Sequence, residues 1–188
     1  WSSLTGHKWS SLGWPSGTLD QKIREMLAAE QQRCGIECRN TSISGWLAEL
    51  IQRMHQQTGE RVVVLVDEYD KPILDNITEP EVARQMRDGL RDLYSVLKGQ
   101  DAHIRFAMLT GVSKFSKVSL FSGLNNLRDI TVSTEYSALC GYTDEDVEMV
   151  FAPELPGLDR DEIRRWYNGY NWTGTSVYNP FDLLLLFQ

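Results

Sequence analysis

The chain has 188 residues, 41% hydrophobic and 24% charged. That is enough for one well-cored domain with the start of a second, and the make-up is that of a soluble globular protein, not a disordered, fibrous or membrane one. A formal charge of -7 argues against a broad nucleic-acid surface and leaves room only for a local basic groove.

The densest apolar run, Phe181 to Phe187, is too short to span a bilayer, and the first residues lack the basic-then-apolar order of a secretory signal. Cys34, Cys38 and Cys140 are odd in number. No His or Cys cluster accompanies the first two to complete a four-ligand zinc site, so the three read as free thiols of a reducing cytoplasm. A metal or redox pair at Cys34 and Cys38 is the sharper alternative.

Residues 1–18 are rich in Trp, Ser and Gly and repeat Trp-Ser-Ser-Leu at Trp1 and Trp9 without any further period. They read as a loop, a vector-derived remnant or uncertainly assigned sequence. Gly6-His7-Lys8 is not a phosphate loop. Such a loop needs Gly, four residues, then Gly-Lys-Ser/Thr, so that successive N–H groups curl around phosphates and the lysine reaches across them. No such string occurs in the 188 residues.

From Leu19 to about Arg33, the spacing of Leu19, Ile23, Met26 and Leu27 predicts an amphipathic helix. Ser42 is a candidate N-cap for a second, whose stripe of Ile43, Trp46, Leu47, Leu50, Ile51 and Met54 ends at Gly59. The run from Val62 to Val66 then shows no alternation, which predicts a strand buried on both faces, and it stops at Asp67 and Glu68. Open α/β sheets place their chemistry at such carboxyl ends. Asp67 is therefore the candidate Mg2+ pole and Glu68 the candidate water-activating group of a magnesium-dependent nucleotide hydrolase. The bland alternative is a parallel strand that ends in solvated acids.

Pro72 and the stretch from Asp75 to Pro80 read as a connection, and a third helix is expected from about Glu81 to Leu97. Its charged side, with Arg84, Arg87, Asp88, Arg91 and Asp92, reads as a solvated face. A second buried strand, Ile104 to Leu109, ends in Thr110, Gly111 and Val112. This helix, strand, helix, strand order is that of a parallel α/β sheet.

After a polar and aromatic loop from Lys114 to Leu127, a short strand is expected over Asp129 to Val132. Thr143 opens a helix with three acids in its first turn, a further helix spans about Asp159 to Tyr167, and Asn179-Pro180 starts a last apolar one. These make a small helical subdomain that continues past Gln188. The expected division is residues 1–18, then 19–135 as a partial core, then 136–188.

Three blocks in order carry a family resemblance: DEYDKPIL at Asp67 to Leu74, LTGVSKFSKVSLFSGLNNLRDIT at Leu109 to Thr131, and YNGYNW with VYNPFDLL at Tyr167 to Leu184. Together they resemble the bacterial and archaeal AAA-ATPase-like family, in which a P-loop ATPase core is commonly followed by a nuclease-like domain of the PD-(D/E)XK type. The resemblance covers about Leu19 to the C-terminus. It implies a P-loop NTPase-like parallel sheet flanked by helices, with Mg2+ and ATP as cofactors; ATP over GTP rests on resemblance alone. Asp67 and Glu68 match the Walker B pair, and Thr110 the polar sensor on the neighbouring strand. Ser113 and Lys114 fall in the loop that could touch phosphate, Lys114 as a point charge. Asp70 and Lys71 belong to the pattern, with an ion pair or a loop brace favoured over direct catalysis.

Members of that family carry a Walker A loop upstream of the helix near Leu19, where this chain has its Trp- and Ser-rich segment. The chain would then hold half a nucleotide site, as a fragment, with a degenerate loop, or with first residues that are not the natural ones. The resemblance also implies a nuclease-like domain after Gln188, leaves a homo-oligomer open, and gives no membrane partner.

Two other readings compete. A degenerate ATPase fold could serve as a non-enzymatic interaction or switch module. A nuclease could use Asp67, Glu68, Asp70 and Lys71 as its metal site, although such chemistry wants a Glu-x-Lys on a second strand. Tyr167, Tyr170, Trp172, Tyr178 and Asn179 invite base stacking, against the plainer roles of packing and helix capping.

Overall fold

In the computed structural model, which describes residues 3–4, 18–112, 120, 124, 126–171 and 173–188, Ser42 and Gly59 bound the helix that the apolar stripe requires. The Ser42 side chain accepts from the Gly45 N–H, and Gly59 closes the helix at φ 71°, a left-handed conformation that glycine adopts without steric cost. This helix, α2 (Ile43–Thr58), packs with α1 (Thr18–Cys34) and α4 (Pro80–Gly99). Leu19, Ile23, Leu50, Ile51, Met54, Leu90 and Leu97 from these helices join one buried cluster. A single-turn helix, α3 (Lys71–Leu74), breaks the expected connection between strand and α4.

The cluster is laid on a three-stranded sheet of β1 (Ser3–Leu4), β2 (Val62–Val66) and β3 (Ile104–Leu109), in the order β1-β2-β3 with every pair parallel. Two residues of the stretch that carries no secondary-structure signal thus extend the sheet. The expectation that β2 is buried on both faces needs correction. Val62 and Val64 are buried against the helices, whereas Leu65 is 36% exposed and Phe106 of β3, the register partner of Val63, is 52% exposed. The strand is apolar on both sides, but the described helices cover only one.

A lateral stitch holds α2 to the chain before it. The Glu49 carboxylate accepts from the N–H groups of Asn40 (2.8 Å) and Arg39 (2.9 Å) and from Arg53 Nε (2.7 Å). The Asn40 N–H is the main cause that holds its pKa below the ordinary glutamate value. A depressed folded value stabilises above the ordinary glutamate range and is lost as pH falls through the depressed one. The stability difference between Glu49→Gln and the parent in urea titrations is therefore expected to be largest at neutral pH and to vanish in acid. A pH-independent difference would rule the stitch out.

The chain divides into two units, Trp1–Leu127 and Arg128–Gln188. In the second, Thr143 and Asp146 form a reciprocal capping box at the start of α5 (Asp144–Val150), and Asp159 caps α6 (Arg160–Tyr167). The subdomain is not purely helical. β4 (Asn168–Asn171) and β5 (Ser176–Tyr178) pair antiparallel before Asn179 caps α7 (Pro180–Leu186). Residues 129–132, expected as a strand, form coil and turn instead. Val147, Phe151, Leu155, Ile163, Tyr178 and Leu183 make the unit's own core. Tyr178 is buried there and Tyr167 packs on it, so neither offers a free ring for base stacking; Trp172 lies outside the described residues. Among the described residues, no helix is long and apolar enough to cross a membrane.

Candidate functional site

The carboxyl ends of β2 and β3 lie side by side because the strands are parallel neighbours in register, Val66 opposite Leu109. Their ladder runs one step further. The Thr110 N–H donates to the Val66 carbonyl at 2.9 Å, and the Tyr69 N–H donates to the Thr110 carbonyl at 2.8 Å. This doubled clasp holds Asp67 and Glu68 against Thr110. The Thr110 hydroxyl donates to Asp67 Oδ1 at 2.5 Å, so the sensor candidate and the metal candidate touch directly. Asp67 is otherwise exposed.

Glu68 sits differently. Its φ is 51°, a left-handed conformation that costs a non-glycine residue about 1–2 kcal/mol. Its Oε2 is buried without a hydrogen-bond partner among the described residues. A strained backbone that carries an unsatisfied buried carboxylate oxygen is the kind of local cost that clusters at functional sites.

Behind this pair, Asp70 is fully buried and accepts the Val112 N–H at 3.2 Å. Gly111 lets the chains approach this closely. A Cβ there would stand 2.6 Å from the Tyr69 ring and 2.8 Å from Asp70 Oδ1. Tyr94 of α4, whose hydroxyl pKa is pushed up chiefly by burial, donates to the Tyr69 carbonyl at 3.3 Å. Lys71 pairs with Asp75 at 3.0 Å. Asp70 is thus a loop brace and Lys71 an ion-pair partner, and the four groups of the nuclease reading point to different places.

Ser113 and Lys114 lie outside the described residues. The described donor set at the strand ends is all oxygen: the Asp67 and Glu68 carboxylates and the Thr110 hydroxyl. Oxygen ligands fit Mg2+, which keeps several waters and takes one or two carboxylates together with substrate phosphates. No cluster of three or more His, Cys, Asp or Glu residues with metal-holding geometry occurs among the described residues. Cys34, Cys38 and Cys140 are free thiols, with that of Cys38 pushed up by burial, which does not make it reactive.

A cleft of about 460 Å3 lies between α5 and α6, in the second unit. Several of its charges pair within it: Arg164 with Asp144 at 2.8 Å and Arg160 with Glu148 at 3.2 Å, while the Tyr178 hydroxyl donates to Asp144 at 2.6 Å; Arg160 Nη1 is buried without a hydrogen-bond partner among the described residues. None of the expected nucleotide-site residues lines it; of the aromatic candidates, Tyr178 does.

The fold and the site thus define an α/β protein with a small parallel sheet and an acidic pair at the end of its central strand. The model of a family described as "Predicted AAA-ATPase" matches residues 10–121, more than half of the chain, and the chain belongs to that family. It is also 71% identical over 170 residues to a relative described as an uncharacterized protein in the vnfD 5' region of Azotobacter chroococcum mcd 1. The match takes in 90% of this chain and 33% of the relative, so the chain spans about a third of that protein's length. No solved structure matches it.

The sequence places Tyr94 on the inward face of its helix, where it is buried, and Gly111 at the tip of β3, but gives neither of them, nor Tyr69, a part in bracing the site. The signal available for Gly111 was a glycine directly after a polar-tipped strand, where a close backbone approach is the usual cause.

Proposed function

We propose that this chain carries the Walker B half of a Mg-ATP site in an AAA-ATPase-like protein. The observation that carries the reading is Glu68, strained and with a buried unpartnered oxygen beside an Asp67 that is oriented by the Thr110 hydroxyl. Asp67 would hold the metal. Bound there with ATP, Mg2+ supplies neutralisation of the charge that builds on the phosphate oxygens. Glu68 orients the attacking water and takes its proton, and the hydroxyl of Thr110 fixes the Asp67 carboxylate through one oxygen, leaving the other to bind. Ser113 and Lys114 are proposed to reach phosphate from the loop after β3. A nuclease-like domain would follow in the longer protein.

The test is calorimetry of ATP, with and without Mg2+, on these 188 residues beside the full-length chain. The full-length chain is expected to bind ATP in a Mg2+-dependent way, and Asp67→Ala is expected to remove that dependence. The 188-residue chain, without a Gly-x4-Gly-Lys-Ser/Thr string, is expected to turn over little or none. Unchanged Mg2+ dependence in Asp67→Ala would count against its role. A full-length chain that binds no nucleotide would leave the second reading, a fold used as an interaction or switch module, as the better one.

A further inference from the structure

Two histidines meet where α2 ends and β3 begins. His55 lies in the last turn of α2, and His103 closes the short 3-10 turn Asp101–His103 that leads into Ile104. Their Nδ1 atoms are 3.0 Å apart, with the ring centroids 5.2 Å apart and the planes at 70°. The rings thus meet end to end, each aiming its hydrogen or its lone pair at the other. One turn earlier the same two stretches of chain are joined by Gln52 Nε2, which donates to Gln100 Oε1 at 2.9 Å. Both histidines are half-buried, and neither makes a further hydrogen bond or an ion pair among the described residues.

We propose that this pair is a pH-sensitive latch that holds the last turn of α2 to the entry of β3. A neutral imidazole offers one donor nitrogen and one acceptor, whereas the protonated ring has donors at both. The pair therefore closes when one facing Nδ1 carries a hydrogen and the other does not, and it accommodates one added proton but not two. With both rings charged, two N–H groups and two positive charges would face each other at 3.0 Å. Opened, each ring can take its own proton. Closure is therefore favoured above the ordinary histidine value of about 6.5 and lost progressively as pH falls below it. The charges on the elements packed here do not override this. Arg33 on α1 is paired with Glu30 at 2.6 Å, and Arg53 on α2 with Glu49 at 2.7 Å. Glu60 and Arg61 before β2, Lys98 at the end of α4, Asp101 in the turn and Arg105 on β3 are exposed, so they reach the rings only as screened charges of opposite sign that partly cancel. The latch lies at the amino end of β3 and the acidic pair at the carboxyl end of β2, so the inference is independent of the nucleotide reading.

The test is hydrogen–deuterium exchange of the full-length protein, read by mass spectrometry and corrected for the intrinsic effect of pH on amide exchange. Opening that takes up one more proton than the closed pair holds becomes about tenfold easier per pH unit below the histidine range. Between about pH 6.5 and about pH 5, peptides that cover the last turn of α2 and the Asp101–His103 turn are therefore expected to lose about tenfold in protection. The contact between Gln52 and Gln100 does not titrate, so the turn it holds is expected to stay protected. In His55→Gln, the new amide can accept from His103 or donate to it in either protonation state, and the acid loss is expected to vanish. His103→Gln repeats the measurement from the other side should the first variant fold poorly. Glu49, whose contacts also weaken in acid, is present in every variant and cancels in the comparison. Equal protection at both pH values in the unaltered protein would overturn the proposal. So would an acid loss of the same size in His55→Gln, or one spread evenly over α1 and α2, which would report unfolding instead of a latch.

Discussion

In the full-length chain, Glu68→Gln is expected to lower ATP turnover by roughly 10²- to 10⁴-fold, the usual contribution of a positioned general base, while ATP still binds. The glutamine keeps the shape and one acceptor oxygen but cannot take a proton from water. Its position follows from the clasp at the strand ends. Thr110 and Tyr69 fix the backbone on either side of Glu68, and the residue between them is left with φ at 51° and a buried, unpartnered Oε2. Turnover within a few-fold of the parent would remove Glu68 from the chemistry. Glu68→Gly separates strain from function. Glycine accepts the left-handed conformation freely, so this variant is expected to unfold no more easily than the parent and yet to be inactive. A variant that is both less stable and inactive would mean that Glu68 holds the fold together, and the functional reading of its strain would fail.

What could be read from the sequence was local. The caps at Ser42, Thr143 and Asn179 are short-range hydrogen bonds between residues two or three apart, so the pattern that announces them also contains their partners. The strand at Val62–Val66 and the acids after it were legible for the same reason, and so was Thr110 at the tip of the next strand. What depends on distant partners was not. Ser3–Leu4 becomes a strand because the edge of β2 recruits it, not through any pattern of its own. Leu65 and Phe106 are as apolar as Val62 and Val64, and only the placement of α1, α2 and α4 decides which of them is covered. Asp67, Glu68 and Asp70 are three acids within four residues, alike in sequence. One meets a hydroxyl 43 positions away, one carries an unpartnered buried oxygen, and one is buried against an N–H 42 positions away. Roles that separate in this way follow from chain crossing, which no short window contains.

The brace behind the site gives the other large effect. Asp70→Ala is expected to destabilise the 188-residue chain by about 2–3 kcal/mol in urea unfolding, in the range for hydrogen bonds to charged groups. It removes a buried carboxylate and leaves the Val112 N–H without that acceptor. Asp70→Asn retains an acceptor oxygen of the same reach and is expected to lose less. Gly111→Ala attacks the same junction from the other side. Its new Cβ would meet the Tyr69 ring at 2.6 Å and Asp70 Oδ1 at 2.8 Å, and overpacking of this sort costs about 1–3 kcal/mol. Because both substitutions disturb the same junction between the Asp70 turn and the end of β3, the double variant is expected to lose less than the sum of the two. Strict additivity would mean that the two residues act at separate places. An Asp70→Ala midpoint equal to the parent's would mean that the clasp at Thr110 holds the turn without help. The same junction anchors Tyr69, whose N–H closes on Thr110 and so sets where Glu68 stands. A chain that loses the brace is therefore expected to lose the arrangement of Asp67, Glu68 and Thr110 as well, at temperatures where its helices are still folded.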